Sequence, residues 1–277
     1  MKAVGDDEQC TILKAFREYH YLPSGLKQES MSLKVTLLGT GVGIPQPGRS
    51  QPAILIENEM PLLFDCGAGT LLRLEQAGLG IEALDTAVLT HLHLDHVSDV
   101  LALANARYLS QLPDLEIYGP QGTAHWLETM HSAFPYLEKM RVDVHEVQPM
   151  DSFSVKGNDI FVEEARHSVT ALAYRIEAQD KVVVYSGDTE PSARIAALAD
   201  GSDLLIHECS FPEPFEVTNH STPRRLGNML RNTNVKRVVL THLYPQAQGY
   251  EEEMIEGVSD GTGLLVEVGH DFQIIVV

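Results

Sequence analysis

The chain has 277 residues, of which 44% are hydrophobic and 21% are charged, the composition of an ordinary soluble globular protein. Its charge is strongly acidic, because 20 Lys and Arg residues stand against 39 Asp and Glu residues, a formal net charge of -19 at pH 7. Such a surface repels polyanions and argues against a broad groove that tracks the phosphates of a nucleic acid.

Apolar runs and cysteines set further limits. No apolar run approaches the roughly 18 residues of a membrane-spanning helix, and the start of the chain lacks the basic and apolar pattern of a signal peptide. The cysteines Cys10, Cys66 and Cys209 have no metal-type spacing, which indicates a reducing compartment and buried apolar roles. We therefore expect a cytoplasmic protein with no membrane partner.

Residues 1–30 differ in pattern from the rest of the chain. Apolar side chains at helical spacing predict one short helix over residues 10–26, ended by a Pro-Ser-Gly turn signal. Met31 stands directly before the first strong strand. We therefore expect residues 1–30 to be an N-terminal extension or a mis-assigned start, and residues 31–277 to form one compact domain.

Short apolar strands, separated by turns and amphipathic helices, fill the chain from residue 33 onward. Strands are predicted over residues 33–38, 53–57, 61–65, 86–90, 115–118, 141–147, 159–165, 171–177, 181–186, 203–207, 236–241, 264–268 and 272–276. Helices are predicted over residues 70–77, 97–109, 122–132, 192–199 and 222–231. Since helices occur in both halves between groups of strands, we expect an α+β or α/β domain in which two packed sheets carry helices on their outer faces.

The strongest local signal is the heptapeptide THLHLDH over residues 90–96, which directly follows an apolar strand. His91 and His93 alternate in an extended segment and so point the same way. Asp95 and His96, in the next turn, can point into a neighbouring site. A surface loop of solvated histidines is the alternative, but such a cluster has no packing purpose. Imidazole nitrogens and carboxylate oxygens are ligands of catalytic zinc, so this spacing predicts a metal site.

One segment cannot complete two metal sites, so further ligands are expected where other apolar strands end. His167, Asp188 and His242 each follow such a strand, beside small or turn-forming neighbours. Each residue taken alone could equally be a cap or a buried hydrogen-bonding group. The recurrence of the same placement favours all of them as additional ligands.

With these ligand candidates in this order, the chain resembles the metallo-β-lactamase superfamily of binuclear metal hydrolases. It is most similar to the ribonuclease Z-like branch, in the motifs Leu38-Gly39-Thr40-Gly41, Phe64-Asp65-Cys66-Gly67, Ile117-Tyr118-Gly119-Pro120, Tyr185-Ser186-Gly187-Asp188-Thr189, Leu205-Ile206-His207-Glu208-Cys209, His220-Ser221-Thr222 and Leu240-Thr241-His242. The resemblance covers residues 33–277. It implies a four-layer αββα sandwich, in agreement with the predicted order of strands and helices.

The resemblance also implies how the ligands are shared between two divalent metal ions. The first ion would be held by His91, His93 and His167, the second by Asp95, His96 and His242, and Asp188 would bridge both. Zinc is the expected metal, and manganese or iron would suit the same mixed donors. Two ions about 3.5–4 Å apart present a bridging hydroxide near neutral pH and stabilise charge on a phosphate.

Further roles follow from the same resemblance. His220 is the expected general acid that protonates the leaving group, with Glu208 orienting its ring; the alternative is a neighbour of a helix cap. Asp95 could also accept a proton from the attacking water. Asp65, in a glycine-rich turn after a strand, would support the metal ligands or else be an ordinary turn carboxylate.

Three departures from the branch bear on the substrate. Enzymes that process the 3′ end of transfer RNA carry a long RNA-gripping arm between the third histidine motif and the bridging aspartate, whereas only two strands and a turn fit between His167 and Asp188. Ala68 stands where those nucleases usually carry Glu, and no Arg closely follows His242. With the acidic charge, these features disfavour a large RNA substrate and leave the metal ligands intact.

The sequence therefore predicts a zinc-dependent hydrolase, a phosphodiesterase for a small or modest-sized phosphodiester, which by resemblance forms a homodimer. Alternatives that keep the enzyme are a transfer-RNA 3′-processing endoribonuclease, an arylsulfatase, a cyclic-nucleotide phosphodiesterase, or a lactone or thioester hydrolase. The non-enzymatic alternative is an RNA-binding or metal-sensing protein. Tight RNA binding with a steep salt dependence would reveal it, and the acidic charge disfavours that outcome.

Overall fold

The computed structural model describes residues 32–58 and 60–277. The helix predicted over residues 10–26 and the extension predicted for residues 1–30 lie outside this part of the chain. Within the described ranges, no helix is both long enough and apolar enough to cross a membrane.

Strands and short helices alternate along the described chain. The strands are β1 (Lys34–Gly39), β2 (Ala53–Glu57), β3 (Pro61–Phe64), β4 (Thr86–Val88), β5 (Leu115–Pro120), β6 (Val142–Val147), β7 (Ser152–Val155), β8 (Asn158–Ala165), β9 (Ala171–Ala178), β10 (Lys181–Tyr185), β11 (Leu204–Glu208), β12 (Arg237–Thr241), β13 (Leu265–Val268) and β14 (Gln273–Val276). The α-helices are α1 (Thr70–Gln76), α2 (Leu94–Val97), α3 (Val100–Leu109), α4 (Thr123–Ala133), α5 (Ala193–Ala199), α6 (Pro223–Leu230) and α7 (Glu251–Ser259). Short 3₁₀ turns occur at Ile81–Ala83, Pro135–Lys139 and Pro245–Ala247.

Two 7-stranded sheets share one buried core. Their strand orders are β14-β1-β2-β3-β4-β5-β6 and β13-β12-β11-β10-β9-β8-β7. Phe64 of the first sheet and Val183 and Ile206 of the second belong to this common core. The adjacent residues Val184 and Leu205 face the other side of the sheet and belong to the separate core under the outer helices. Because both faces of the central strands are covered, their sequences are near-continuous apolar runs.

Helices cover the outer face of each sheet. Leu74 of α1 and Leu103 of α3 pack with Leu63 of the first sheet. Leu226 of α6 and Met254 of α7 lie in the apolar cluster on the outer face of the second sheet. The order helix, sheet, sheet, helix confirms the predicted αββα sandwich.

The strands that carry the functional loops end at one edge of the sandwich. β3, β4 and β5 are parallel neighbours in the first sheet, as are β10, β11, β12 and β13 in the second. Parallel neighbours have their carboxyl ends at the same edge, where the loops of α/β sheets bind ligands. The two sets of loops meet there, since Nε2 of His91 after β4 lies 3.7 Å from Oδ2 of Asp188 after β10.

The structure contains elements that the sequence pattern did not predict. In β7 only Val155 is buried, so this four-residue edge strand has little alternation to detect. In α7 only Met254 and Val258 are buried, and one apolar pair is too sparse to show a helical period. The helix predicted over residues 97–109 corresponds to α3 but begins three residues later, at Val100, and the separate short helix α2 precedes it.

Candidate metal centre

The predicted ligands leave the ends of strands and converge on one place. His91 and His93 follow β4, Asp95 and His96 lie on α2, and the remaining ligands His167, Asp188 and His242 follow β8, β10 and β12. Gly187 permits the close approach of the two sheets' loops: its φ is +54°, and a Cβ there would lie 2.8 Å from the Cβ of Thr90. The structure brings these side chains into two groups that could hold a metal ion, and a third group joins Asp188 and His242 to His220.

The first group consists of His91, His93, His167 and Asp188. Nδ1 of His93 lies 3.1 Å from Nε2 of His91 and 3.1 Å from Nε2 of His167. Oδ2 of Asp188 lies 3.7 Å and 3.8 Å from the same two Nε2 atoms. Four donors at about 2.0–2.2 Å from a tetrahedral zinc ion lie roughly 3.3–3.6 Å from one another. The spacing of this group therefore suits one ion.

The second group consists of Asp95, His96 and His242. Nε2 of His242 lies 3.6 Å from Oδ2 of Asp95 and 3.3 Å from Oδ2 of Asp188. The other oxygen of Asp188, Oδ1, lies 3.5 Å from Nε2 of His96. Asp188 therefore stands between the two groups and faces both of them.

Several atoms of the cluster that could bind a metal ion are buried and have no hydrogen-bond partner among the described residues. They are Nε2 of His96, Nε2 of His242 and Oδ1 of Asp188. Leaving such an atom unpaired costs about 1–3 kcal/mol, so unpaired atoms that face one another call for a common explanation. Divalent cations explain all of them, because imidazole nitrogens and carboxylate oxygens are their usual ligands. The residues present thus fit a divalent metal centre.

In two of the histidine rings, the nitrogen that faces away from the cluster lies within hydrogen-bond distance of another protein group. Nδ1 of His167 lies 2.8 Å from the backbone oxygen of Asn219. Nδ1 of His242 lies 3.1 Å from Oγ of Ser210. Such contacts fix the orientation and tautomer of a ring and leave its Nε2 available to a metal ion.

A buried network around Asp65 supports both groups. Oδ2 of Asp65 lies 2.7 Å from Nδ1 of His96 and accepts a 2.8 Å hydrogen bond from the hydroxyl of Tyr185. Oδ1 of Asp65 accepts a 2.8 Å hydrogen bond from the backbone N–H of Thr90. The hydroxyl of Thr90 also lies 3.0 Å from Nδ1 of His91. Asp65 is fully buried, contacts the ring of His96 directly, and reaches the ring of His91 through the hydroxyl of Thr90.

His220 and Glu208 form a hydrogen-bonded pair beside the cluster. Nδ1 of His220 lies 3.0 Å from Oε1 of Glu208. Glu208 is fully buried and accepts further hydrogen bonds from the backbone N–H groups of Thr189, Ser210 and Ser221. These donors fix the carboxylate, which in turn fixes the ring of His220 with Nε2 directed away from Glu208.

His220 is close enough to the ligand groups to act on what binds there. One donor atom each of His220, Asp188 and His242 lie within 4.8 Å of one another. The rings of His220 and His242 stack with centroids 5.6 Å apart. From this position the free Nε2 of His220 suits either a metal ion or a transferable proton, because a histidine held by a carboxylate through Nδ1 is found in both roles.

Burial and charge set the protonation of the histidines. Burial lowers the pKa of His91 well below its ordinary value, and the charge of His96, whose ring centroid is 4.0 Å away, lowers it further. Burial also lowers the pKa of His220, but the hydrogen bond that its ring donates to Glu208 and the charges of Glu208 and Asp188 outweigh this effect and raise the pKa above the ordinary value. Without metal, His91 therefore favours its neutral form, and His220 keeps its proton more readily than a free histidine does.

Aromatic side chains stand next to His220. Phe211 and Tyr244 stack with ring centroids 4.4 Å apart and planes at 27°. Tyr244 lies 5.7 Å from the ring of His220 and 6.0 Å from the ring of His242. Phe215 lies 5.7 Å from Phe211 and is 44% exposed. Phe211, Phe215 and Tyr244 form an aromatic wall that runs from the histidines of the centre to the solvent.

Known proteins share this sequence and this site-bearing fold. A family model described as a beta-lactamase superfamily domain matches residues 61–243. The ribonuclease Z of Mycobacterium sp. (strain KMS) is 32% identical over 268 residues, which cover 86% of this chain and 94% of the relative. The chain belongs to the metallo-β-lactamase superfamily, in its ribonuclease Z-like branch.

Solved structures of superfamily members have the same fold. The metallo-beta-lactamase fold protein YhfI from Bacillus subtilis superposes with a TM-score of 0.80 at 24% identity and covers 89% of this chain and 99% of that chain. Human tRNase Z, short form, superposes with a TM-score of 0.72 at 25% identity and covers 87% of this chain and 98% of that chain. The resemblance drawn from the motifs is confirmed, and with it the expectation of a metal-dependent hydrolase.

The connection between the third histidine motif and Asp188 is short in this ribonuclease Z-like chain. β9 and β10 are joined by Gln179 and Asp180, whose φ angles of 52° and 58° are those of a tight two-residue hairpin turn. Within the described residues, no arm is inserted between His167 and Asp188.

Sequence reasoning missed Tyr185, Ser210 and the aromatic wall. Tyr185 ends a strand of valines, and a buried tyrosine hydroxyl needs a partner, which is a signal that could have pointed to Asp65. Phe211 and Phe215 have the sequence of ordinary loop residues among prolines. Phe211 stacks on Tyr244, which follows another strand, β12, so no local sequence pattern identifies the contact.

Proposed function

We propose that this protein is a binuclear zinc-dependent phosphodiesterase. The observation that carries the proposal is Asp188, whose carboxylate lies 3.3–3.8 Å from donor nitrogens of both groups. A carboxylate shared in this way would suit two neighbouring divalent ions, the arrangement that phosphatases and nucleases use on phosphate esters.

The ligand assignment follows the two groups of donor atoms. His91, His93 and His167 would hold one ion, Asp95, His96 and His242 would hold the other, and Asp188 would contact both. Histidine nitrogens with carboxylate oxygens suit zinc, and manganese or iron would be accepted by the same donors. When bound, the ions would supply Lewis acidity toward phosphoryl oxygens and a water acidic enough to lose its proton near pH 7.

Asp95 is the carboxylate we assign to accepting that proton. Its side chain keeps 18% of its surface exposed, whereas that of Asp188 keeps 4%. A partly open carboxylate beside the donor cluster can contact a water molecule that enters from solvent. Asp188, closed in between the two groups, has no such access and is assigned to holding the ions.

His220 is assigned to protonating the leaving oxygen. A leaving alkoxide is a strong base, so a proton supplied as the bond breaks lowers the barrier. Nδ1 of His220 faces Glu208, which leaves Nε2 to hold the transferable proton. Glu208 has no access to solvent and acts by fixing this ring.

Charge and topology favour a small or modest-sized substrate. The net charge of -19 repels a long polyanion, while bound divalent ions would attract a small anion locally. The tight β9–β10 hairpin also leaves no gripping arm in the described chain. We therefore infer that the substrate is a phosphodiester small enough to bind at the edge of the sandwich without a gripping arm.

Processing of transfer-RNA 3′ ends is the second candidate function. The observation that favours it is the 32% identity to a ribonuclease Z over most of both chains. Cleavage of precursor transfer RNA at its 3′ end, at a rate comparable with that on small phosphodiesters, would establish this alternative. We expect small phosphodiesters to be hydrolysed faster.

A panel of esters under metal control tests the proposed chemistry. Metal-replete protein is assayed with bis(p-nitrophenyl) phosphate, p-nitrophenyl sulfate, a lactone and a thioester, each with and without a chelator. We expect the phosphodiester to be the best substrate and its hydrolysis to stop after chelation. No hydrolysis of the phosphodiester, or hydrolysis that the chelator does not change, would overturn the proposal.

The domain boundary, the homodimer and the cytoplasmic location stay predictions. A chain that begins at Met31 should remain folded and active if residues 1–30 are an extension. Light scattering after size-exclusion chromatography should give the mass of two chains, and a single-chain mass would exclude the dimer. Cell fractionation tests the location.

A further inference from the structure

The aromatic wall of Phe211, Phe215 and Tyr244 leaves apolar ring surface in contact with solvent. Phe215 is 44% exposed, and Phe211 and Tyr244 are half-buried. None of the three belongs to the apolar clusters that fill the described sandwich. Adjacent aromatic rings that reach solvent and do not serve a core are typical of a binding surface.

Hydrogen bonds fix the position of the aromatic wall relative to the metal centre. The N–H of Tyr244 donates to the backbone oxygen of Ser210 at 3.1 Å, and the hydroxyl of Ser210 lies 3.1 Å from Nδ1 of His242. The N–H of Phe215 donates to the backbone oxygen of Pro212 at 3.2 Å. A ligand ring on this wall would therefore have a defined position relative to the centre.

His220 determines which part of a substrate would meet the wall. Its ring lies 5.7 Å from that of Tyr244 and 6.3 Å from that of Phe211. The leaving oxygen must come within hydrogen-bond reach of His220 to receive a proton. A group attached through that oxygen therefore starts next to Tyr244 and Phe211.

We propose that the aromatic wall binds a planar ring carried by the leaving group of the phosphodiester, a nucleobase or an aryl group. Stacking on aromatic side chains needs only the face of such a ring and no particular hydrogen-bond pattern. It also needs no cation, which suits a chain of net charge -19. The inference rests on the proposed function, because the phosphate is taken to be anchored at the metal centre.

Matched phosphates with and without a ring test the wall by binding alone. Zinc-loaded protein is titrated by calorimetry with adenosine 5′-monophosphate and ribose 5-phosphate, which differ by the nucleobase, and with phenyl phosphate and ethyl phosphate. We expect each ring-bearing phosphate to bind about fivefold or more tightly than its partner, the lower end of base stacking on aromatic residues. The first pair reports on a nucleobase and the second on a simple aryl ring.

Substitutions then locate the ring. Phe211→Leu and Phe215→Leu keep apolar bulk but remove the aromatic face, so each should reduce the difference within a pair and leave the affinity for ribose 5-phosphate unchanged. Phe134→Leu is the matched control, because Phe134 is 49% exposed and also lies beside another ring, that of Tyr136 at 6.4 Å. Circular dichroism and thermal unfolding show that each variant is folded.

The outcomes separate this inference from the proposed function. Three results would overturn the wall as a ring site. They are equal affinities within both pairs, differences that persist in Phe211→Leu and Phe215→Leu, and no binding of any of these phosphates. Hydrolysis of bis(p-nitrophenyl) phosphate without a difference within the pairs would refute the wall alone. A difference that the two variants abolish, in a protein without phosphodiesterase activity, would refute the proposed function and leave the ring site in place.

Discussion

Tyr185 donates its hydroxyl to Asp65 at 2.8 Å, although the two residues lie 120 positions apart in the chain. The bond connects the two sheets, because Tyr185 ends β10 and Asp65 follows β3. Asp65 also contacts Nδ1 of His96 at 2.7 Å. The orientation of a proposed metal ligand therefore depends on how the sheets pack.

Tyr185→Phe should weaken metal binding without removing it. Asp65 would lose one of its donors, and the ring of His96 would be held less firmly. Loss of an outer partner of a metal ligand lowers metal affinity about 10–100-fold, and we expect the lower end because Tyr185 acts through Asp65. Competition with a chromophoric zinc chelator measures the affinity of each site.

Tyr174→Phe is the matched control for this substitution. Tyr174 is also a fully buried strand residue, and its hydroxyl donates to the backbone oxygen of Leu89 at 2.7 Å. Both variants should lower the free energy of unfolding by about 1 kcal/mol. Equal zinc affinities in the two variants would show that Tyr185 has only a structural role.

Asp188→Ala and His93→Ala should lose metal and activity together. Asp188 faces both donor groups, so we expect its loss to empty the centre, whereas the loss of His93 removes a donor from the first group alone. Metal analysis of the purified variants, with assays at added zinc, measures both properties. His125→Ala is the control, because the side chain of His125 is 86% exposed. An Asp188→Ala variant with full metal content would show that the centre is elsewhere.

His220→Ala should keep its metal and lose rate, in proportion to the basicity of the leaving group. Lost general acid help typically costs about 10²–10⁴-fold, and a p-nitrophenolate leaving group needs such help least. Glu208→Gln should show the same pattern with a smaller loss. Steady-state rates on an alkyl and a p-nitrophenyl phosphodiester compare the two cases. Loss of metal from His220→Ala would instead identify His220 as a ligand, and a wild-type rate on the alkyl ester would exclude the acid.

The proposed ligands were readable from the sequence for a physical reason. His91, His167, Asp188 and His242 each come soon after an apolar strand, and parallel strands end at one edge of a sheet. His93, Asp95 and His96 continue the segment that starts at His91. The contact of Tyr185 with Asp65 was not readable, because it forms between sheets whose packing leaves no local signal. The meeting of Phe211 with Tyr244 was hidden in the same way, since the loops after β11 and β12 each supply one ring.

Asp203→Asn should destabilise the folded protein in a pH-dependent way. Burial alone would raise the pKa of Asp203, but hydrogen bonds from Lys236 at 2.7 Å and from the N–H of Val182 at 2.9 Å hold it below its ordinary value. The carboxylate therefore stabilises the fold above the unfolded pKa of about 3.9, and this contribution is lost as the pH falls through the folded pKa. We expect a loss of about 1 kcal/mol at pH 7.

Urea unfolding of metal-free protein between pH 7 and pH 3 measures this difference. The gap between wild type and Asp203→Asn should narrow at the acidic end. Glu138→Gln changes an exposed acid outside the described ion pairs and should show little difference at any pH. A gap for Asp203→Asn that stays constant over the whole range would contradict the account of this carboxylate.

Titration of zinc into metal-free protein, with bound metal and phosphodiester turnover followed together, tests the central claim most directly. If Asp188 joins two ions in one centre, binding should saturate at two zinc ions per chain, and hydrolysis of bis(p-nitrophenyl) phosphate should reach its maximum only as the second ion binds. Saturation at a single ion, or a protein that holds two ions and does not hydrolyse the phosphodiester, would contradict the account.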